Sequence, residues 1–171
     1  MKKNTAPLLF FILIGCSSPT TTATIRITEK NGSSLSGKAV FTEQLGKVKI
    51  DISIRGVGGG PVAAHIHATG DCSSDDGKSA GGHWNPTNED HGKWGKAAFH
   101  SGDLGNIVID RLGAGTLSLI DTYGRWSIGG PLETNILGKA IIIHLSEDDM
   151  RTQPTGAAGA RIGCGVIRET D

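Results

Sequence analysis

Six histidines are the residues of this chain that invite chemistry. His65 and His67 flank Ile66 in "HIH"; on a strand, residues i and i+2 leave the same face, so both imidazoles can reach one point. His83, His91 and His100 lie in "GGHWNPTNEDHGKWGKAAFH" (81–100), with Asp103 three residues on. His144 ends the apolar run "AIIIH", where an imidazole is costly to bury unless its nitrogens find partners. Alone, "HIH" reads as a polar exposed stripe; the other four histidines shift the reading toward metal. Imidazoles with a single carboxylate suit zinc and copper, whereas calcium and magnesium want oxygen. His83, His91, His100 and Asp103 make a complete tetrahedral zinc set. His65, His67 and His144 remain for a second ion, and copper accepts more planar nitrogen coordination and two oxidation states. Ligand counting gives one or two metals and does not choose between them.

The segments that must position these residues read as β. "KVKIDISIRG" (47–56) alternates strictly, with Val48, Ile50, Ile52 and Ile54 on one face and Lys49, Asp51, Ser53 and Arg55 on the other. Shorter strands are expected at 22–30, 38–44, 106–110, 115–120, 139–145 and 160–167, with a hairpin turn at "DRLGAG". No window shows a convincing amphipathic helix, and 26 glycines supply turns. Seven or eight such strands imply an antiparallel sandwich or barrel. Two segments, about 68–100 and 146–160, break the pattern. An aperiodic stretch of roughly thirty residues inside a compact domain is usually functional or disordered, and its three histidines count against disorder. Formal net charge is zero, with 17 basic and 17 acidic residues and no basic run, which argues against a nucleic-acid partner.

The N-terminus has the grammar of export. Met1-Lys2-Lys3 is followed by the short apolar stretch "LLFFILI" (8–14), too short to span a bilayer. It closes on Leu13-Ile14-Gly15-Cys16, which resembles a bacterial lipobox; that resemblance implies a signal peptide over 1–15, cleaved before a lipid-modified Cys16. The other reading is an ordinary secretory signal with an incidental cysteine. Residues 16–23 then form a polar tether and 24–171 the folded domain, in a periplasmic or cell-surface lipoprotein, sorted by Ser17 to an outer membrane where one exists. The remaining Cys72 and Cys164 are an even pair. A bridge between them would close a loop of about 90 residues, worth roughly 4–5 kcal/mol in the chain-entropy model. Free thiols or thiolate metal ligands are the alternatives, and an exported compartment favours the bridge.

The blocks "HIHATGDCSS", "SAGGHWNP", "EDHG", "FHSGDLGNI", "IIIHLSEDD" and "GARIGCGVI" together resemble copper/zinc superoxide dismutase, in that family's order and spacing from about residue 37 to 168. The resemblance implies an all-β fold, an eight-stranded antiparallel Greek-key barrel or immunoglobulin-like sandwich with two long functional loops. It implies dismutation of superoxide to O2 and H2O2 by a redox-cycling copper, bridged through a histidine to a structural zinc, one ion of each per subunit. Carried over residue by residue, His65, His67, His83 and His144 match copper ligands. His83, His91, His100 and Asp103 match zinc ligands, with His83 the shared bridge. Asp148 matches a carboxylate that joins a zinc ligand to a copper ligand. Arg161 matches the guanidinium that draws in the anionic substrate, and with His83 it forms the catalytic pair. Cys72 and Cys164 match the family's disulfide. A metal-storing or metal-delivering protein on the same fold is the alternative, and a homodimer is left open.

The chain departs from the family in places. Val62-Ala63-Ala64 stands where His-Gly-Phe is usual, and Ala68 where Glu is usual; either change implies a looser setting for copper. The second long loop carries Arg151 as its one basic residue before Arg161, so electrostatic steering is expected to be weak. Trp84, Trp94 and Trp126 read as packing or surface aromatics.

Overall fold

The computed structural model describes residues 19–170. Eight strands run in chain order: β1 (Thr20–Glu29), β2 (Ser36–Gln44), β3 (Lys47–Arg55), β4 (Val62–His67), β5 (Asp103–Ile107), β6 (Ala114–Ile120), β7 (Ala140–His144) and β8 (Arg161–Val166). A single 3-10 turn, Lys78–Ala80, is the one helical piece among the described residues. Every pairing is antiparallel, in the order β5-β4-β7-β8-β1-β2-β3-β6. Neighbours out of sequence, β4 with β7 and β3 with β6, give the Greek-key crossovers, and β5 lies against β6 so that the barrel nearly closes. Strand β1 joins the two halves, pairing with β2 along most of its length and with β8 at Thr28 and Glu29.

The alternation in β3 is realised without exception, its isoleucines and Val48 buried and its polar residues exposed. Strand β4 differs, being buried at all six positions. Val62, Ala64 and Ile66 join the interior cluster with Ile141 and Ile143 of β7. On the opposite face of β7 and β8, Ala140, Ile142 and Cys164 pack with Ala80 and Cys72 from the loop after β4. That loop is therefore a second layer over the barrel wall, which is why "AIIIH" reads as continuously apolar. Cys72 and Cys164 are disulfide-bonded and fasten the layer to β8.

Two expected boundaries move. Strand β1 begins at Thr20, inside the expected 16–23 tether: Thr20 to Ala23 pair with Gln44 to Phe41, and Ala23 is fully buried. A threonine run with one small inward residue hid the alternation. Strand β5 begins at Asp103 and not at 106, because Asp103-Leu104-Gly105 lacks period-two patterning yet pairs with β4. The signal peptide, Cys16 and the first part of the tether lie outside the described residues.

Candidate metal centre

Strand β4 sends His65 and His67 outward, away from the interior cluster that Ala64 and Ile66 join. Both β4 and β7 shift register at their metal-facing histidines, between Ala64 and His65 and between Ile143 and His144. Such bulges re-aim a side chain without ending the ladder. The long loop returns across β4 through an isolated bridge between His67 and His83, and the Trp84 amide donates to the Ile66 carbonyl. The His65 and His83 ring centroids come to 3.9 Å, and those of His67 and His83 to 5.0 Å. Arg161 starts β8 opposite His144.

All six histidines and Asp103 are buried, and they fall into two four-residue groups that share His83. In each group one ligand-capable atom per residue lies within 4.8 Å of the others. His65, His67, His83 and His144 form one group; His83, His91, His100 and Asp103 form the other. The six histidines, Asp103, Asp148 and Arg161 thus lie at this centre or its rim, while Cys72 and Cys164 form the disulfide in the layer beside it.

The hydrogen bonds show which nitrogen of each ring is spoken for. His67 Nδ1 donates to the Gly81 carbonyl at 2.8 Å and His144 Nδ1 to the Gly159 carbonyl at 3.2 Å, leaving the two Nε2 atoms 3.4 Å apart. Asp148 takes His65 Nε2 on one carboxylate oxygen and His91 Nε2 on the other, each at 2.9 Å. One buried carboxylate thereby fixes a ring from each group. The opposite nitrogen of each of those rings, Nδ1 of His65 and of His91, makes no hydrogen bond, and neither do His83 Nε2 and His100 Nδ1. Asp103 lies 2.9 Å from His83 Nδ1, 3.0 Å from His91 Nδ1 and 3.3 Å from His100 Nδ1. The last two contacts are close yet misaligned for hydrogen bonding, as expected for atoms converging on a common point. Buried imidazole nitrogens left without partners are costly. One ion in each group would satisfy all of them, so the residues present fit a copper and a zinc.

Charge states follow from the same contacts. Burial holds His67 down to about 2 and His144 to about 3, helped by neighbouring imidazoles and Arg161. Burial likewise lowers His83 to about 4 despite the nearby Asp103. His91 goes the other way: burial opposes its charge, but Asp103 and Asp148 outweigh it and raise it to about 9. Burial also works against the charge of Asp103 and Asp148, and the imidazole contacts keep both well below the usual carboxylate range. Arg161 is half-buried, with both terminal nitrogens donating at 2.7 Å, to Gly77 and Gly81 carbonyls. Burial lowers its pKa, but a guanidinium keeps its charge near neutral pH.

Several supporting residues were not singled out from sequence. Asn106 clasps the backbone of Asp148, donating to its carbonyl at 2.9 Å and accepting its amide at 2.8 Å. Gln153 does the same for the backbone of His91, both bonds at 2.9 Å. Gly156 has φ +67°, and a Cβ there would strike Asp148 Oδ1 and His91 Nε2. An asparagine inside a strand, where it is a poor β-former, was the one available signal; Gln153 and Gly156 gave none. Ala63 and Ala64, expected to leave the copper side loose, are fully buried, and Ser146 accepts the Ala63 amide at 2.9 Å.

Relatives agree with this geometry. The family model described as copper/zinc superoxide dismutase matches residues 35–167. The copper/zinc superoxide dismutase of Caulobacter vibrioides is 37% identical over 135 residues, 77% of this chain and 78% of that protein. The enzyme of Paramecium bursaria Chlorella virus 1 is 33% identical, over 94% of this chain and 90% of its own. Among solved structures, the clock protein EA4 superposes with a TM-score of 0.75 at 32% identity, covering 91% of this chain and 98% of its own. A double mutant of a SOD-like protein from Bacillus subtilis gives 0.70 at 33% identity, covering 84% and 95%. The matched span contains every ligand-capable residue of both groups, and the chain belongs to the copper/zinc superoxide dismutase family.

Proposed function

We propose that the chain dismutates superoxide, with copper that would be held by His65 Nδ1 and the Nε2 atoms of His67, His83 and His144. Zinc would be held by the Nδ1 atoms of His83, His91 and His100 together with Asp103. The observation that carries this reading is that His83 belongs to both groups, one nitrogen facing each. The chemistry that bound copper supplies is a one-electron couple, by which two superoxide anions and two protons become O2 and H2O2. The protein contributes the rest. Asp148 and the Gly81 and Gly159 carbonyls lock the rings, so that their free nitrogens are already aimed. Arg161, pinned by two carbonyls, holds a fixed positive charge for a small anion. His83 Nε2 is the atom at which a proton can be held and handed on, because its Nδ1 stays on the Asp103 side.

Stopped-flow decay of superoxide tests this on protein loaded with copper plus zinc beside a zinc-only control. Decay is expected to need copper and to vanish in His144→Ala. Stoichiometric binding of both metals without decay would replace the enzyme by the metal-handling alternative.

The N-terminal features complete the proposal: an exported lipoprotein, cleaved after Gly15 and anchored by lipid on Cys16. The disulfide supports an oxidising compartment. With β1 starting at Thr20, only residues 17–19 separate Cys16 from the barrel, a span of about 10 Å at full extension. In a bacterial host fed labelled palmitate, label is expected on the wild-type chain and not on Cys16→Ser. Label retained by the variant would refute the anchor.

A further inference from the structure

The outer face of the sheet formed by β1, β2, β3 and β6 carries a charge pattern that the metal centre does not use. Arg26 on β1 lies directly opposite Lys38 on β2, and the row continues through Ser53 on β3 to Thr116 on β6. In the next row Ser36 faces Arg55. Like charges directly opposed across strands are destabilising. Among the described residues no carboxylate comes within ion-pair distance of Arg26, Lys38 or Arg55, whereas Lys49, also outward on β3, has Asp51 at 2.9 Å. A chain of zero net charge thus places three unpaired cations on adjoining strands.

The three cations line one open groove of about 820 Å³ with the hydroxyl residues Ser36, Ser53 and Thr116 and the apolar flank of Val108. Its one carboxylate, Asp110, is occupied: Oδ1 accepts the Leu112 and Ala114 amides that shape the β5–β6 turn. Arg55 is pre-set by its Nε, which donates to Ser36 Oγ at 3.1 Å. A second groove of about 290 Å³ shares Lys38, Ser53 and Thr116 along the sheet, and its one carboxylate, Asp51, is paired with Lys49 at 2.9 Å.

We infer that this cleft binds an extended, multiply anionic carbohydrate, such as a sulfated, phosphorylated or uronic oligosaccharide. Three cations call for several negative charges on one ligand. Three hydroxyls suit a ligand that is itself hydroxylated. Cations spread over three adjoining strands suit a chain and not a compact ion. No aromatic side chain lines either groove, so a single-stranded nucleic acid would find no stacking platform. The metal-bearing strands β4, β7 and β8 belong to the other half of the barrel, so occupancy leaves the centre open.

The test uses the full chain and a dextran sulfate oligosaccharide, beside neutral dextran of the same length, with binding followed by calorimetry. Saturable binding of the sulfated chain alone is expected. Lys38→Ser with Arg55→Ser should weaken it by about a hundredfold, since two charge-assisted contacts are removed at roughly tenfold each. A charge-matched pair elsewhere, Lys47→Ser with Arg168→Ser, should weaken it far less. Arg26→Ser should also raise the melting temperature of the free protein by relieving the Arg26–Lys38 repulsion, and superoxide decay should be unchanged in all three variants. Equal loss in the control pair or equal binding of neutral dextran overturns the inference. Capture on phosphatidylglycerol vesicles without binding of the sulfated chain overturns it too.

Discussion

Four imidazoles of the centre, those of His65, His67, His91 and His144, have one nitrogen committed to a carbonyl or carboxylate and the other directed at a group of like atoms. That division decides which proton each ring must give up. His67 and His144 are held neutral by burial, so they accept copper without releasing a proton from the ring face that binds it. His91, raised to about 9 between Asp103 and Asp148, carries a proton at neutral pH that zinc must displace. The sign follows: below pH 9 the competing proton weakens zinc, by about tenfold per unit. Zinc affinity of the copper-free protein is therefore expected to rise about tenfold per pH unit between about 6.5 and 8.5, with about one proton released per zinc. Calorimetry in buffers of different ionisation enthalpy reads that proton directly. A pH-independent affinity would refute this assignment of charge.

At the level of elements, the site depends on strands buried on both faces and on loops that double as lids. The histidine-bearing blocks were legible because "HIH" needs only period-two geometry to aim two rings together, and because β3 alternates without a break. The bulges that turn His65 and His144 were not legible, since a register shift leaves no mark in residue type. Nor were the two amide clasps, because Asn106 and Gln153 act on backbone atoms of residues 42 and 62 positions away. The loop after β7 is expected to be sensitive at one small residue. Gly156→Ala adds a methyl group against the Asp148–His91 contact at a left-handed backbone position. It should disturb zinc coordination, read as a changed visible spectrum when cobalt(II) replaces zinc, while leaving β-sheet circular dichroism intact. Gln153→Leu should show the same spectral change in milder form, with Gln153→Glu retaining part of the acceptor geometry toward the His91 amide. An unaltered cobalt spectrum in Gly156→Ala would show that the loop yields without moving the ligands.

For the whole molecule, charge is balanced overall and sparse near the centre. Arg161 is the fixed cation there, and the segment leading from His144 carries exposed Glu147 and Asp149 before Arg151. Long-range attraction of a monoanion is correspondingly small. The superoxide-decay rate is expected to change by no more than about twofold between 0.01 M and 0.15 M salt, as the screening length shrinks from about 30 to about 8 Å. A steep fall with salt would reveal a stronger guiding field. The sharing of His83, and the reach of Asp148 into both groups, has a thermodynamic consequence at this scale. The two ions cannot be independent ligands. Whatever factor zinc contributes to copper affinity, copper returns to zinc, by the reciprocity of coupled equilibria. The second ion to arrive finds the His83 ring already oriented but must expel its remaining proton, so cooperation between the metals grows as the medium becomes more alkaline. Scarcity of one metal thus becomes weaker retention of the other.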